Sequence, residues 1–259
     1  MPKEKYAILE KFNFENPPVG IKITPKIVEG VPRIDKKMTL CEMIKHAQDG
    51  NAFYAEIEDH TCDAGLYVMG MKDVEPEYIN GEYGTGLQVY ESPRAGSRLY
   101  NHVYRINRGA VNYVTLAPLK KLTFEPDVLL ILANTTQAEI LLRASSYRTG
   151  DPWISRYTAA LGCDWLLVYP YVTGNINHIT TGLGFGMRRR RIFKEGQHFI
   201  SIPYDKIPAM METLEVMPWV PEPYKENGLE YVKDLRTRLG LDKPQEPSAG
   251  FPAERLPGV

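Results

Sequence analysis

Three cysteines are the residues of this chain whose type and setting could carry chemistry. Cys41, Cys62 and Cys163 each lie near the start of a predicted helix or at a strand-to-helix turn, where backbone N–H groups favour a thiolate. Three thiolates could hold a metal ion or an iron–sulfur cluster and leave one coordination position open. His60 is a candidate for that position, because ligands separated by one residue face the same way on extended backbone.

The same cysteines have two other interpretations. The chain has no Cys-x-x-Cys pair, which excludes a zinc ribbon or a ferredoxin-type loop, and free cysteine commonly packs as a small hydrophobe. In that case His60 is a hydrogen-bonded structural residue. The remaining alternative is nucleophilic chemistry by Cys62 with His60 or Asp63, but residues one or two positions apart rarely meet in catalytic geometry on a strand.

A glycine-rich segment followed by four consecutive arginines is the second candidate site. Gly184 and Gly186 would let a ligand approach the backbone closely, and Arg188 and Arg190 would bind an anionic ligand through bidentate hydrogen bonds. The residue order matches neither a P-loop nor a dinucleotide-binding fingerprint. The alternative is a glycine-bearing strand whose arginines alternate between its two sides and form a solvated basic face.

A buried strand followed by a capped helix predicts the fold. Every position of the run from Val128 to Ala133 is apolar, which indicates a strand covered on both faces. Asn134 and Thr135 come next; they could cap a helix, or bind a ligand at the carboxyl end of the strand. Strand, turn and helix form half of a β–α–β unit. We therefore predict an α/β single-domain sandwich with a central mixed β-sheet covered by helices.

Composition bounds the function classes. Of 259 residues, 43% are hydrophobic and the formal net charge is −1, so the chain can form a core and has no global field that favours nucleic acid. No apolar run approaches the ~20 residues of a membrane span. The odd cysteine count and the absence of a signal-peptide core after Met1 predict a cytoplasmic protein with reduced thiols.

We predict one domain over residues 1–242 and a proline-rich tail, residues 243–259, that is mobile or wraps a partner. The 16 tyrosines suit an interface, so we expect a homo-oligomer or a partner subunit. Further predicted elements are a helix over 3–14, a helix that Thr39 caps and that extends to about Gln48, a strand over 53–57, loops with one short helix over 81–96, a helix over 153–161, a helix end or a strand over 166–170, a strand over 198–203, and helices over 205–216 and 224–239.

Short motifs follow one another in a fixed order along most of the chain. They include Pro18-Val19-Gly20-Ile21-Lys22, Asp59-His60-x-Cys62, Phe124-x-Pro126-Asp127-Val128, Tyr147-x-Thr149-Gly150 and Gly182-Leu183-Gly184-x-Gly186-x-Arg188. This ordered set resembles the family of unknown function labelled ArCR, which is common in anaerobic archaea and bacteria. The resemblance implies that the three cysteines fall at motif positions.

Members of that family often carry a further cysteine where this chain has Phe185. The resemblance therefore implies a three-thiolate site with an open position, or no cluster. The function expected is a metal or iron–sulfur protein of an anaerobic metabolism that binds or acts on a small anionic molecule. The alternative is a non-catalytic ligand-binding or accessory subunit with structural cysteines.

Overall fold

The computed structural model describes residues 4–241 of the chain. Its six strands form a sheet in the order β2-β3-β1-β4-β6-β5. The strands are β1 Val19–Thr24, β2 Phe53–Ala55, β3 Tyr113–Pro118, β4 Val128–Ala133, β5 Asn177–Thr180 and β6 His198–Pro203. The helices are α1 Leu40–Gln48, α2 Asp63–Val68, α3 Pro76–Ile79, α4 Glu82–Gly86, α5 Pro93–Tyr100, α6 Thr135–Ser146, α7 Tyr169–Thr173, α8 Phe185–Arg190, α9 Ile207–Val216 and α10 Gly228–Arg238, with a π-helix at Asp164–Val168.

The α/β fold is confirmed, but the prediction of a mixed sheet is wrong. All strand pairs formed by residues 4–241 are antiparallel. β4 is buried at every position, as predicted. β6 lies beside β4 with Val128 opposite Pro203 and Ala133 opposite His198, so strand, turn and helix do not begin a parallel β–α–β unit. A fully apolar run shows that both faces of a strand are covered, but it carries no information on the direction of its neighbours.

Helices cover both faces of β4. Alternate side chains of a strand point to opposite faces, and Val128, Leu130 and Leu132 join the core cluster that also contains residues of α1, α2 and the π-helix. α6 contacts β4 and β6 and also packs against α9. The first of these layers carries all three cysteines: Cys41 in α1, Cys62 before α2 and Cys163 before the π-helix.

The segment 153–161 is not helical, in contrast to the prediction. Its backbone groups are bound by the sheet: the Arg156 N–H donates to Asn177 Oδ1 at 2.9 Å, and Asn177 Nδ2 donates to the Arg156 carbonyl at 3.0 Å. The Ser155 hydroxyl donates to the His178 carbonyl at 2.6 Å. These long-range bonds replace the bonds that a helix would supply.

The other predicted elements differ mainly at their ends. The first helix is a 3₁₀ helix over Glu4–Phe12, the second strand ends at Ala55, and the segment 81–96 contains α4 and the beginning of α5. The helix alternative for 166–170 is confirmed by the π-helix and α7. None of the helices formed by the described residues has the length and apolar character needed to span a bilayer.

The chain divides into two compact units, Met1–Met217 and a second unit that begins at Pro218. The described part of the second unit contains a short 3₁₀ helix, Glu222–Tyr224, and α10. One domain over residues 1–242 stays a prediction. The predicted proline-rich tail, residues 243–259, lies outside the described residues.

Candidate functional site

All three cysteines line one cavity of about 220 Å³ in the first unit. Cys41 lies in the first turn of α1, Cys62 precedes the first residue of α2, and Cys163 precedes the π-helix. The sulfurs of Cys62 and Cys163 each lie 3.9 Å from the position that a Cβ would occupy on Gly65. Three separate segments of the chain therefore bring thiols to one space.

Local capping interactions position Cys41. The Thr39 N–H donates to Glu42 Oε2 at 2.8 Å, and Thr39 Oγ1 accepts from the Glu42 N–H at 3.3 Å. This reciprocal pair is a capping box, which fixes the start of α1. The prediction that Thr39 caps this helix is confirmed.

An ion pair fixes the turn before Cys62. Arg33 Nε and Nη2 each donate to the Asp59 carboxylate at 3.0 Å. Asp59 Oδ2 also accepts from the Glu56 N–H at 3.0 Å. The bidentate geometry orients the backbone that leads into Cys62.

Burial keeps the thiols of Cys41 and Cys163 protonated. Desolvation, assisted by the neighbouring thiols, raises the pKa of Cys41 to about 12 and raises the pKa of Cys163 well above its ordinary value. The Arg190 guanidinium opposes the shift at Cys41. A rise from 9 to about 12 corresponds to ~4 kcal/mol, whereas a helix terminus contributes about 0.3–1 kcal/mol. The expectation that helix starts favour thiolates is therefore wrong for these two cysteines.

His60 does not line the cavity. Its ring is buried, and among the described residues neither ring nitrogen has a hydrogen-bond partner. Desolvation lowers the pKa of His60 to about 4, so the ring is neutral at pH 7. His60 as a metal ligand stays a prediction, and its structural interpretation finds no hydrogen bond among the described residues.

The thiols are close but are not assembled as a metal site. Within residues 4–241, no group of three or more His, Cys, Asp or Glu side chains is arranged to hold a metal ion. A metal would therefore have to draw the cysteines together and displace their protons.

The glycine–arginine segment reaches the same cavity, but as a helix. Gly184, Gly186 and Arg190 line the cavity together with Arg189, which the sequence analysis did not select. Arg188 points elsewhere, with its Nε 3.5 Å from a Glu195 carboxylate oxygen. The alternative of a glycine-bearing strand is wrong, because Gly184 precedes the first residue of α8.

The missing side chain of Gly184 makes room for a tyrosine. A Cβ at this position would lie 1.8 Å from the Tyr157 hydroxyl oxygen and 3.0 Å from the Cζ atom of the same ring. Tyr157 lines the cavity, and burial raises the pKa of its hydroxyl far above the ordinary value. Gly184 therefore serves to admit the Tyr157 hydroxyl, in addition to its position before α8.

Gly184→Ala is expected to displace Tyr157 and to lower the free energy of unfolding by about 1–3 kcal/mol, the usual cost of overpacking. Gly186→Ala is the matched control, because the nearest atom to its Cβ would be the end of the Arg190 side chain at 3.6 Å. Urea denaturation of both variants measures the difference. Equal stabilities would contradict the packing of Tyr157 against Gly184.

Five tyrosines line the cavity, and the sequence analysis selected none of them. They are Tyr78, Tyr83, Tyr90, Tyr100 and Tyr157. The first four come from α3, α4, α5 and the connection between the last two. The available signal is the density of tyrosine and glycine between residues 78 and 100, a composition that predicts loops with one short helix over 81–96.

Asn134 and Thr135 do not line the cavity. Asn134 Oδ1 accepts from the Gln137 N–H at 2.9 Å, and the Asn134 N–H donates to Gln137 Oε1 at 3.0 Å, which confirms the capping interpretation. Thr135 Oγ1 lies 3.2 Å from His198 Nε2, and His198 Nδ1 lies 3.0 Å from His178 Nε2. This histidine pair has no local signal in the sequence, because its members lie in different strands, β5 and β6.

Asn134→Ala is expected to lower the free energy of unfolding by about 1 kcal/mol through loss of the cap, without changing any binding in the cavity. Thermal denaturation measures the stability, and calorimetric titration measures the binding. A loss of binding with unchanged stability would show instead that Asn134 contacts the ligand.

The fold and the cavity define an α/β protein with an antiparallel sheet and a cavity that three thiols line. Residues 7–213 match the family described as Uncharacterised ArCR, and the chain belongs to this family. The resemblance seen in its motifs is thus confirmed. No curated protein and no solved structure matches the chain.

Proposed function

We propose that the cavity is a metal centre in which Cys41, Cys62 and Cys163 hold an iron–sulfur cluster or another thiophilic metal, next to a small anionic ligand. The observation that carries this proposal is the presence of three thiols from three separate segments in one cavity of about 220 Å³. Thiolates are the preferred ligands of such metals. Three of them leave an open position, which water or the ligand occupies.

Proton release accompanies metal binding in this proposal. The half-buried thiol of Cys41 and the buried thiol of Cys163 hold their protons because desolvation disfavours the thiolate form and raises the pKa of both. A bound cation supplies that compensation and deprotonates its thiol ligands. Metal affinity therefore rises with pH, and a reducing compartment such as the cytoplasm is part of the proposal, since oxidised thiols do not bind the metal.

Arg190 supports the anionic part of the proposal. Its guanidinium opposes the desolvation that raises the pKa of Cys41, and it adds to the Thr39 hydrogen bonds that lower the pKa of Glu42. Its positive charge therefore acts near Cys41. Arg189 lines the same wall. An anion at this end gains from both guanidinium groups.

The second candidate is a non-catalytic ligand-binding or accessory protein with structural cysteines. The protonated thiols and the lack of a ready metal-binding group among residues 4–241 favour it. In this case the cysteines line an uncharged part of the cavity. An oligomer or a partner subunit stays a prediction under either function.

Titration of the metal-free protein with Co²⁺ tests the proposal, because cobalt bound to thiolates has intense charge-transfer absorption. We expect this absorption in the wild-type protein and its loss in Cys41→Ser, Cys62→Ser and Cys163→Ser separately. His60→Gln is the comparison variant, and its absorption should match that of the wild type. Intact absorption in the cysteine variants would favour the second candidate.

A further inference from the structure

We propose that the anionic ligand of the cavity is a small aromatic carboxylate, a single flat ring that carries one carboxylate group. This inference names the ligand of the cavity described above and rests on the proposed function only for the placement of the ligand beside the thiols. Its evidence is the distribution of rings, charge and space along the cavity wall.

The tyrosines supply a surface for a flat ring. Tyr78 and Tyr83 stack with ring centroids 4.4 Å apart and an interplanar angle of 27°, and Tyr100 lines the same wall. Desolvation raises the pKa of Tyr78 and of Tyr100 to about 12, so these hydroxyls stay uncharged at neutral pH. Uncharged aromatic walls favour offset-stacked or edge-to-face contact with another ring.

The charges on the wall favour an anion over a cation. Arg189 and Arg190 both line the cavity, and within the described part of the chain neither forms a salt bridge. Asp63 also lines the cavity, but its carboxylate is paired with Lys72 Nζ at 2.8 Å. The charged lining residues Asp63, Arg189 and Arg190 therefore give the wall a net positive charge, although tyrosine rings alone would also suit a quaternary ammonium ion.

The size of the cavity suits a ligand with one ring. An apolar cavity of ~150 Å³ accommodates benzene, and this cavity measures about 220 Å³. The additional space corresponds to a small substituent such as a carboxylate. The thiols, the tyrosines and the two arginines line this same space.

Calorimetric titration with four probes tests this inference. Benzoate is the expected ligand; cyclohexanecarboxylate keeps the charge without the flat ring, benzyl alcohol keeps the ring without the charge, and benzyltrimethylammonium reverses the charge. We expect benzoate to bind about 2- to 10-fold more tightly than cyclohexanecarboxylate and about 10-fold or more tightly than benzyl alcohol. Stronger binding of the ammonium probe, or equal binding of all four, would overturn the inference.

Two arginine variants locate the carboxylate. Arg190→Gln should weaken benzoate binding by about 10-fold or more, while Arg191→Gln, the same change of charge one residue beyond the cavity lining, should leave it unchanged. Both positions are exposed, so neither change disturbs the core. Equal affinities of the two variants would contradict a carboxylate at Arg190.

The titrations are repeated on metal-free and cobalt-loaded wild-type protein, which separates the two proposals. Benzoate binding to the metal-free protein, with no cobalt bound at any concentration, would support the aromatic ligand and contradict the metal centre. Cobalt binding through thiolates without benzoate binding would overturn the aromatic ligand and leave the metal centre supported.

Discussion

Gly65→Ala is expected to weaken metal binding while the fold remains intact. Gly65 lies in α2, and an added Cβ would lie 3.9 Å from the sulfurs of both Cys62 and Cys163, which is ordinary van der Waals contact. The methyl group therefore fits without displacing the backbone, yet it occupies the space into which these two sulfurs must move to share a metal. Alanine in place of glycine within a helix stabilises the fold by roughly 0.5–1 kcal/mol.

In Gly65→Ala the metal affinity should thus fall while the free energy of unfolding rises. We expect the affinity for Co²⁺ to fall by ~10–100-fold, the range typical of changes next to metal ligands. Gly86→Ala is the matched control, because Gly86 lies in α4 and its Cβ would meet nothing within 4 Å. Cobalt titration and urea denaturation of both variants give the two quantities. An unchanged affinity in Gly65→Ala would contradict a metal shared by Cys62 and Cys163.

Asp164→Asn is expected to change how the stability of the metal-free protein depends on pH. Asp164 is fully buried, its Oδ2 accepts from the Tyr104 N–H at 3.2 Å, and its Oδ1 has no partner among the described residues. Desolvation raises the pKa of this carboxyl from 3.8 to about 7 in the folded chain. The folded state therefore binds the proton more tightly than the unfolded state does.

The sign follows from proton linkage. The stability contributed by protonated Asp164 is fully present below pH 3.8 and is lost as the pH rises towards 7. The shift corresponds to about 4 kcal/mol by pH 8. Asparagine cannot ionise, so the variant should not show this loss, and at pH 8 it should be more stable than the wild type.

His60 provides an internal reference for that measurement. Its pKa falls from 6.5 to about 4 on folding, so its contribution is lost as the pH falls through this window, the opposite direction to Asp164. Urea denaturation from pH 4 to pH 8 should show the acid-side loss in both proteins and the alkaline-side loss in the wild type. Parallel profiles over the whole range would contradict a buried, protonated Asp164.

Local sequence signals predicted the features that depend on neighbouring residues. The capping box at Thr39 and Glu42 and the cap at Asn134 each involve residues three positions apart, so their spacing is visible in the sequence. The apolar run of β4 likewise showed its burial. The order of the motifs was sufficient to recognise the family.

Features that depend on distant residues could not be predicted in the same way. The direction of β6 relative to β4 is decided by the connection between them, which contains β5. Arg188 and Arg190 would share one face of a strand, but on a helix they lie about 200° apart, so only Arg190 reaches the cavity. Four of the tyrosines that line the cavity come from α3, α4, α5 and the connection between the last two, and no local spacing predicts that these segments line the same cavity as the thiols.

The metal and sulfide content of anaerobically purified protein tests the central claim most directly. We predict iron with acid-labile sulfide, or another thiophilic metal, at one site per chain, and no such content when Cys41, Cys62 and Cys163 are all replaced by serine. In the wild-type protein, thiol titration should detect the three cysteines only after the metal has been removed in denaturant. A metal-free wild-type protein whose thiols show the same reactivity before and after chelation would contradict the metal centre.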